Sequence, residues 1–227
     1  MPRKTFDQEL QRLQDEVLAL GSVVASAIVD SVESLARQDA EAAKRIVVQD
    51  RIVNERRLEI EADALALIAT QQPMARDLRT IAAVLDIASE LERIGDYAKG
   101  IARITLRIGK EPLIKPLIDL PIMATKARAM LQDAMAAFVR RDASSARAIP
   151  GTDDEIDALY NQIYRDLIAL IVADPCRIDQ ANSLLWAAHN LERAADRVTN
   201  ICERVIFTVS GEMVEIDMET EGLESLT

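Results

Sequence analysis

The feature that most limits the fold is an internal repeat carried by residues at helical spacing. Asp39-Ala40 matches Asp142-Ala143 at an offset of 103 residues, as do Ala43 with Ala146, Ile46 with Ile149 and Asp50 with Asp153. Farther along the offset falls to 100, where Leu85, Ala88, Leu91-Glu92-Arg93, Asp96 and Ile101 match Leu185, Ala188, Leu191-Glu192-Arg193, Asp196 and Ile201. Such a chain is one unit built twice, with three residues fewer in one turn of the second copy.

Each unit reads as three helices. From Thr5 to Leu35, apolar residues recur at Leu10, Leu13, Val17, Leu20, Val24, Ile28 and Val32, the three-and-four spacing of a single helix face. After a break at Arg37-Gln38, Asp39 is placed to cap a second run through Ile46, Val53, Ile60 and Ile68, which Gln71-Gln72-Pro73 ends. A third run extends from Met74 to Ile108 and stops at Gly109, with Pro112, Pro116 and Pro121 beyond it. After this linker the spacing predicts a fourth helix to Arg141, a fifth to Ala173 and a sixth from Pro175 to Val209. Pro150-Gly151 should kink or restart the fifth.

The expected fold is all-α, with six long antiparallel helices in two tandem three-helix bundles over residues 1–111 and 112–211. Residues 212–227 carry acids and no Lys or Arg, and read as a flexible, solvated tail. A spectrin-like rod needs a helix running on from one repeat into the next, which Gly109 and the prolines forbid, so the bundles should lie side by side.

Seven glycines, seven prolines and 3% aromatics suit long helices, and a net charge of -11 disfavours nucleic-acid binding. Cys176 and Cys202 lack a CxxC spacing and no secretion signal precedes them, which suggests a reduced, cytoplasmic setting. The apolar stretch from Val17 to Val29 is shorter than the roughly 18 residues a bilayer span needs, so membrane contact is expected only through partners.

The middle helix of each unit carries two polar residues four apart, Asp50 and Asn54 or Asp153 and Asp157. The last helix carries two acids four apart, Glu92 and Asp96 or Glu192 and Asp196. Residues four apart share a helix face. In an antiparallel hairpin, Asp50 is level with Asp96, and Asn54 with Glu92, if the turn centres on Pro73. Asp153 is level with Asp196, and Asp157 with Glu192, if it centres between Asp174 and Pro175. Both centres are the breaks already assigned.

Acids at this spacing repel one another and call for a cation. Oxygen-only donors suit Mg, Mn, Ca or Fe, and Asp157 in place of Asn54 predicts tighter binding in the second half. The opposing reading is that Arg56, Arg93, Arg103, Arg193 and Arg197 neutralise solvated acids. Pro150-Gly151 also leaves open whether Thr152 or Asp153 caps a helix instead of serving an ion. The lone histidine, His189, excludes the paired Glu-x-x-His pattern of di-iron bundles, and reads as a surface or interbundle residue.

The motifs Glu92-Arg93-Ile94-Gly95-Asp96 and Glu192-Arg193-Ala194-Ala195-Asp196, with Asp77-Leu78-Arg79 after Pro73, resemble the PhoU family from about Phe6 to Gly211. The second motif departs from the family in having Ala194-Ala195 where Ile-Gly is usual. The resemblance implies a homodimer whose acidic clusters bind divalent or trivalent metal ions (Fe, Mn, Mg, Ca or Zn) at Asp50, Asn54, Glu92, Asp96, Asp153, Asp157, Glu192 and Asp196. It further implies a non-enzymatic negative regulator linking the ATPase subunit of the phosphate ABC transporter to a sensor histidine kinase. Three alternatives stay open: an accessory module of another phosphate transporter, a structural helical bundle without a signalling role, whether metal-binding or with solvated acids that bind nothing, and a metal-dependent hydrolase.

Overall fold

A computed structural model describes residues 3–216. It contains α1 (Arg3–Arg37), α2 (Ala40–Gln71), α3 (Ala75–Ile108), α4 (Asp119–Arg140), α5 (Ala143–Ala148), α6 (Asp153–Ala173) and α7 (Ile178–Ser210). Short 3-10 turns at Ile149–Thr152 and Pro175–Arg177 introduce α6 and α7. No strand occurs among the described residues. Taking α5, the 3-10 turn and α6 as one helix interrupted at Pro150-Gly151, the described residues form the six expected helices in two repeats.

The repeat extends to the caps. Gln38 and Arg141 both adopt left-handed backbone, at φ 52 and 53. The amide of the next residue then bonds back five positions, Asp39 to Ser34 and Asp142 to Ala137, each at 2.9 Å, so each helix closes with the same carbonyl-satisfying turn. Asp39 accepts from the amides of Glu41 and Ala42, and Asp142 from those of Ser144 and Ser145, at 2.9 to 3.1 Å. Either Asp→Ala substitution is expected to cost about 1 kcal/mol, read as a thermal midpoint lowered by about 2–4 °C.

The two bundles do lie side by side, and they share one core. α3 packs along α7, and α1 packs against α4. Val17, Leu20, Val24, Leu91, Ile94, Phe138, Leu191 and Val198 belong to one continuous buried cluster. α3 and α7 approach closely at Gly100, where a Cβ would stand 2.8 Å from Asn190 Nδ2. Polar links also cross this seam: Arg107 donates to Ser183 (3.0 Å), Asn200 donates to Glu90 (3.3 Å), and Arg204 lies 3.6 Å from Asp86.

The linker is held in place. Gln180 accepts from the Ile114 amide and donates to the Pro112 carbonyl, while Gln38 reaches the Gly109 carbonyl.

Two expectations need correction. The tail is not solvated along all of its described residues: Glu212 and Met213 are exposed, but Val214 and Ile216 pack on the core and the Ile216 amide donates to the buried Glu203 carboxylate at 2.8 Å. The rest of the acidic segment, from Asp217 on, lies outside the described residues. The apolar part of α1 is also longer than its Gly and Ser residues suggested. An 18-residue window of it reaches mean hydropathy 1.6, enough to cross a membrane by length and composition alone. Half of that window is nonetheless buried, and Leu13, Val17, Leu20, Val24, Ile28, Val32 and Leu35 all face the core.

Candidate metal centre

The four acid-bearing helix segments meet as two clusters, one in each hairpin. Between α2 and α3, Glu92 is pushed above the ordinary carboxylate value by burial, and its neighbours Asp96 and Asp50 push it the same way against Arg57 and Arg93. Asp50 is 8% exposed. Asn54 donates to the Asp50 carbonyl and to Asp50 Oδ2 at 3.0 and 3.2 Å. Gly95 lets the helices approach, since a Cβ there would stand 3.3 Å from Val53 Cγ1 and 4.0 Å from Asp50 Oδ1.

Lys99, absent from the sequence reading, sits inside this cluster. Its Nζ lies 2.7 Å from Asp50 Oδ2 and 3.0 Å from Asp96 Oδ1. The hydrogen bond to Asp50, acting against burial, holds the ammonium pKa above its ordinary value. The other oxygen of Asp50, Oδ1, is buried without a hydrogen-bond partner.

Between α6 and α7 the same positions are more acidic. Burial, then Asp157, Asp196 and Glu192, push Asp153 up to about 7. Burial, then Asp196 and Asp157, push Glu192 up to about 7 as well, against Arg193. Asp153 Oδ1 and Glu192 Oε2 are buried without hydrogen-bond partners. The first residue of α6 is Asp153; neither it nor Thr152 supplies a side-chain cap to that helix. Asp153 is therefore free of the capping role that Pro150-Gly151 raised for it.

His189 is closer to this cluster than its reading as a surface or interbundle residue implied. It is half-exposed, with Nδ1 3.2 Å from Glu192 Oε2 and its ring against Trp186 and Tyr160. Of the arginines suspected of neutralising the acids, Arg193 pairs with Asp196 at 3.0 Å and also bonds Tyr97 across the seam. Arg197 instead reaches Glu90 at 3.6 Å. Neither cysteine is bonded; Cys176 is exposed, and burial pushes the Cys202 thiol up to about 12.

The second cluster suits a hard cation. It offers four carboxylates, a buried oxygen on Asp153 without a hydrogen bond and one on Glu192 whose near neighbour is His189 Nδ1 in a contact that is not a hydrogen bond, and a positive charge would relieve the repulsion that raises both pKa values. Among the described residues, no three His, Cys, Asp or Glu side chains already form a metal cage. An ion would have to draw these carboxylates onto it.

Fold and clusters together define a class: duplicated three-helix proteins with one acidic cluster in each hairpin. The PhoU domain model matches twice, at residues 17–105 and 120–205. The chain belongs to the PhoU family. It is 34% identical over 218 residues to a phosphate-specific transport system accessory protein PhoU homolog of Clostridium acetobutylicum, covering 96% of this chain and 100% of that one. A relative of the same name from Caulobacter vibrioides is 35% identical, over 92% of this chain and 91% of its own. The crystal structure of the phosphate transport system regulatory protein PhoU from Streptococcus pneumoniae superposes with a TM-score of 0.86 at 32% identity, over 93% of this chain and 100% of that one. PhoU from Pseudomonas aeruginosa gives 0.86 at 30% identity, over 91% of this chain and 100% of that one.

Proposed function

We propose that this chain is a non-catalytic negative regulator of phosphate uptake and of the phosphate-starvation response. It acts in the cytoplasm as a homodimer, an adaptor between the ATPase subunit of the phosphate ABC transporter and a sensor histidine kinase. The observation that carries this reading is the doubled acidic hairpin in a chain of the PhoU family, whose relatives are named for phosphate-specific transport.

The acidic clusters are the candidate ion sites, with Asp50, Asn54, Glu92 and Asp96 in the first half and Asp153, Asp157, Glu192 and Asp196 in the second. A divalent or trivalent ion, Fe, Mn, Mg, Ca or Zn, would supply positive charge and tie two helices at one level. The protein's part is to hold the carboxylates level and half-buried, so that their repulsion is relieved only when a cation arrives. Such a site makes the α6–α7 hairpin an element whose rigidity depends on ion supply.

The test is a phosphate-starvation reporter such as alkaline phosphatase, in phosphate-rich medium, in a strain lacking the gene. The expected result is high activity without the gene and low activity with it. A variant with Glu92, Asp96, Glu192 and Asp196 all changed to Ala, shown by circular dichroism to be folded, should fail to repress. Low activity in every strain contradicts the regulator reading.

A further inference from the structure

We infer that Lys99 is a built-in cation filling the first acidic cluster, so that the chain has one exchangeable ion centre, in the second half, and one permanently occupied by its own side chain. The inference rests on reading the acidic hairpins as ion sites and departs from the equivalence of the two halves.

Three observations carry it. The Lys99 ammonium bridges Asp50 and Asp96, one from each helix of the hairpin, at 2.7 and 3.0 Å, with its side chain 20% exposed. That is the position an ion tying α2 to α3 would take. The residue 100 positions later is Thr199, whose hydroxyl is buried without a partner, so the second cluster has no ammonium at the matching place. Finally, the first cluster has given up a carboxylate, carrying Asn54 where the second has Asp157.

Lys99 and Asn54 change the charge in the same direction. Asp50, Glu92 and Asp96 with Lys99 carry a formal charge of -2, whereas Asp153, Asp157, Glu192 and Asp196 carry -4 on their own and -3 with Arg193, which pairs with Asp196. A dication approaching Asp50 would meet the ammonium on the same carboxylate and be repelled, or would have to displace it from Asp50 and Asp96 together. Asp50 is more than nine-tenths buried and its Oδ1 is still unpartnered, so the donor for an ion remains, and removing Lys99 should reopen the site.

Equilibrium dialysis of the full-length protein against Mn(II), with metal analysis, tests this. Asp153→Ala with Glu192→Ala is expected to leave no tight Mn(II) binding. Adding Lys99→Thr and Asn54→Asp to that protein, which gives the first cluster the second one's composition, is expected to restore binding at least tenfold tighter. Tight Mn(II) retained by the first protein and lost on further Asp50→Ala, or no gain in the folded four-residue variant, overturns the inference. Native protein that binds no Mn(II) refutes the metal reading of the second cluster, while the four-residue variant still decides the role of Lys99. A readout without substitutions is reductive methylation followed by mass spectrometry. Lys99 should stay protected with and without Mn(II), and its modification at the rate of exposed Lys44 once Mn(II) is added would show displacement and overturn the inference.

Discussion

With Asp153→Asn and Glu192→Gln combined, the protein is expected to melt above the native chain in chelator at pH 8 and below it in saturating Mn(II). The crossing follows from the sign of the pKa shifts. Both carboxyls hold their protons more tightly when folded, to about 7, than their ordinary values of 3.8 and 4.5. Their contribution to stability is therefore fully present below about pH 4 and is lost as pH rises through about 7. At pH 8 the metal-free native protein carries the whole penalty, which the amide variant escapes. An ion at one hundred times its dissociation constant contributes about 2.7 kcal/mol, or about 5–10 °C for a chain of this size, and the variant forgoes it. Acidification from pH 8 to pH 5 in chelator should narrow the gap between the two proteins. Comparing the two isolates the cluster from the lowered carboxyls of Asp142, Asp166 and Asp174, which favour stability in the opposite direction. Differential scanning fluorimetry at both pH values, with and without Mn(II), measures all four arms. An order of melting that is the same in chelator and in Mn(II) contradicts the account.

The second large effect is in the core. Phe138 is among the largest fully enclosed side chains, 2% exposed, and belongs to the cluster that runs through both repeats. Phe138→Ala is expected to cost about 3–5 kcal/mol through lost transfer energy and the cavity left behind, lowering the melting midpoint by about 6–20 °C. Because α4 packs against α1 as well as α7, the loss should not be confined to the second repeat. Urea unfolding followed by Trp186 fluorescence, which reports on α7, and by far-ultraviolet circular dichroism, which reports on all helices, should give coincident transitions. A dichroism curve with a native-like plateau after the Trp186 transition would mean that the repeats unfold separately.

Much of this architecture could be read from the residues because it is written in local chemistry. Asp39 announced the start of α2, its repeat match Asp142 caps α5 in the same way, and Pro150-Gly151 announced the break between α5 and α6. The level pairing of acids across each hairpin followed from the turn positions. In the structure it is visible where Lys99 touches Asp50 and Asp96 together and where Asp153 feels Asp196.

Long-range packing was not legible in the same way. Nothing local to Glu203 indicates that its buried carboxylate receives the Ile216 amide, because that bond depends on where the chain turns after Gly211. Arg193 lies beside two acids, and its bond to Tyr97 depends on the α3–α7 seam. Lys99 was accessible to sequence reasoning and was missed. The offset that matched Glu92 with Glu192 and Asp96 with Asp196 also sets Lys99 against Thr199. Comparing net charge between matched clusters, in addition to acid positions, would have exposed the asymmetry.

The most direct measurement is anomalous diffraction from crystals of the full-length protein soaked in Mn(II). A peak is expected between α6 and α7 within bonding distance of the Asp153 and Glu192 carboxylates, with the Lys99 ammonium still between Asp50 and Asp96. Equal peaks in both hairpins, with Lys99 swung away, would contradict the asymmetry, and no peak between α6 and α7 at saturating Mn(II) would contradict the metal centre itself.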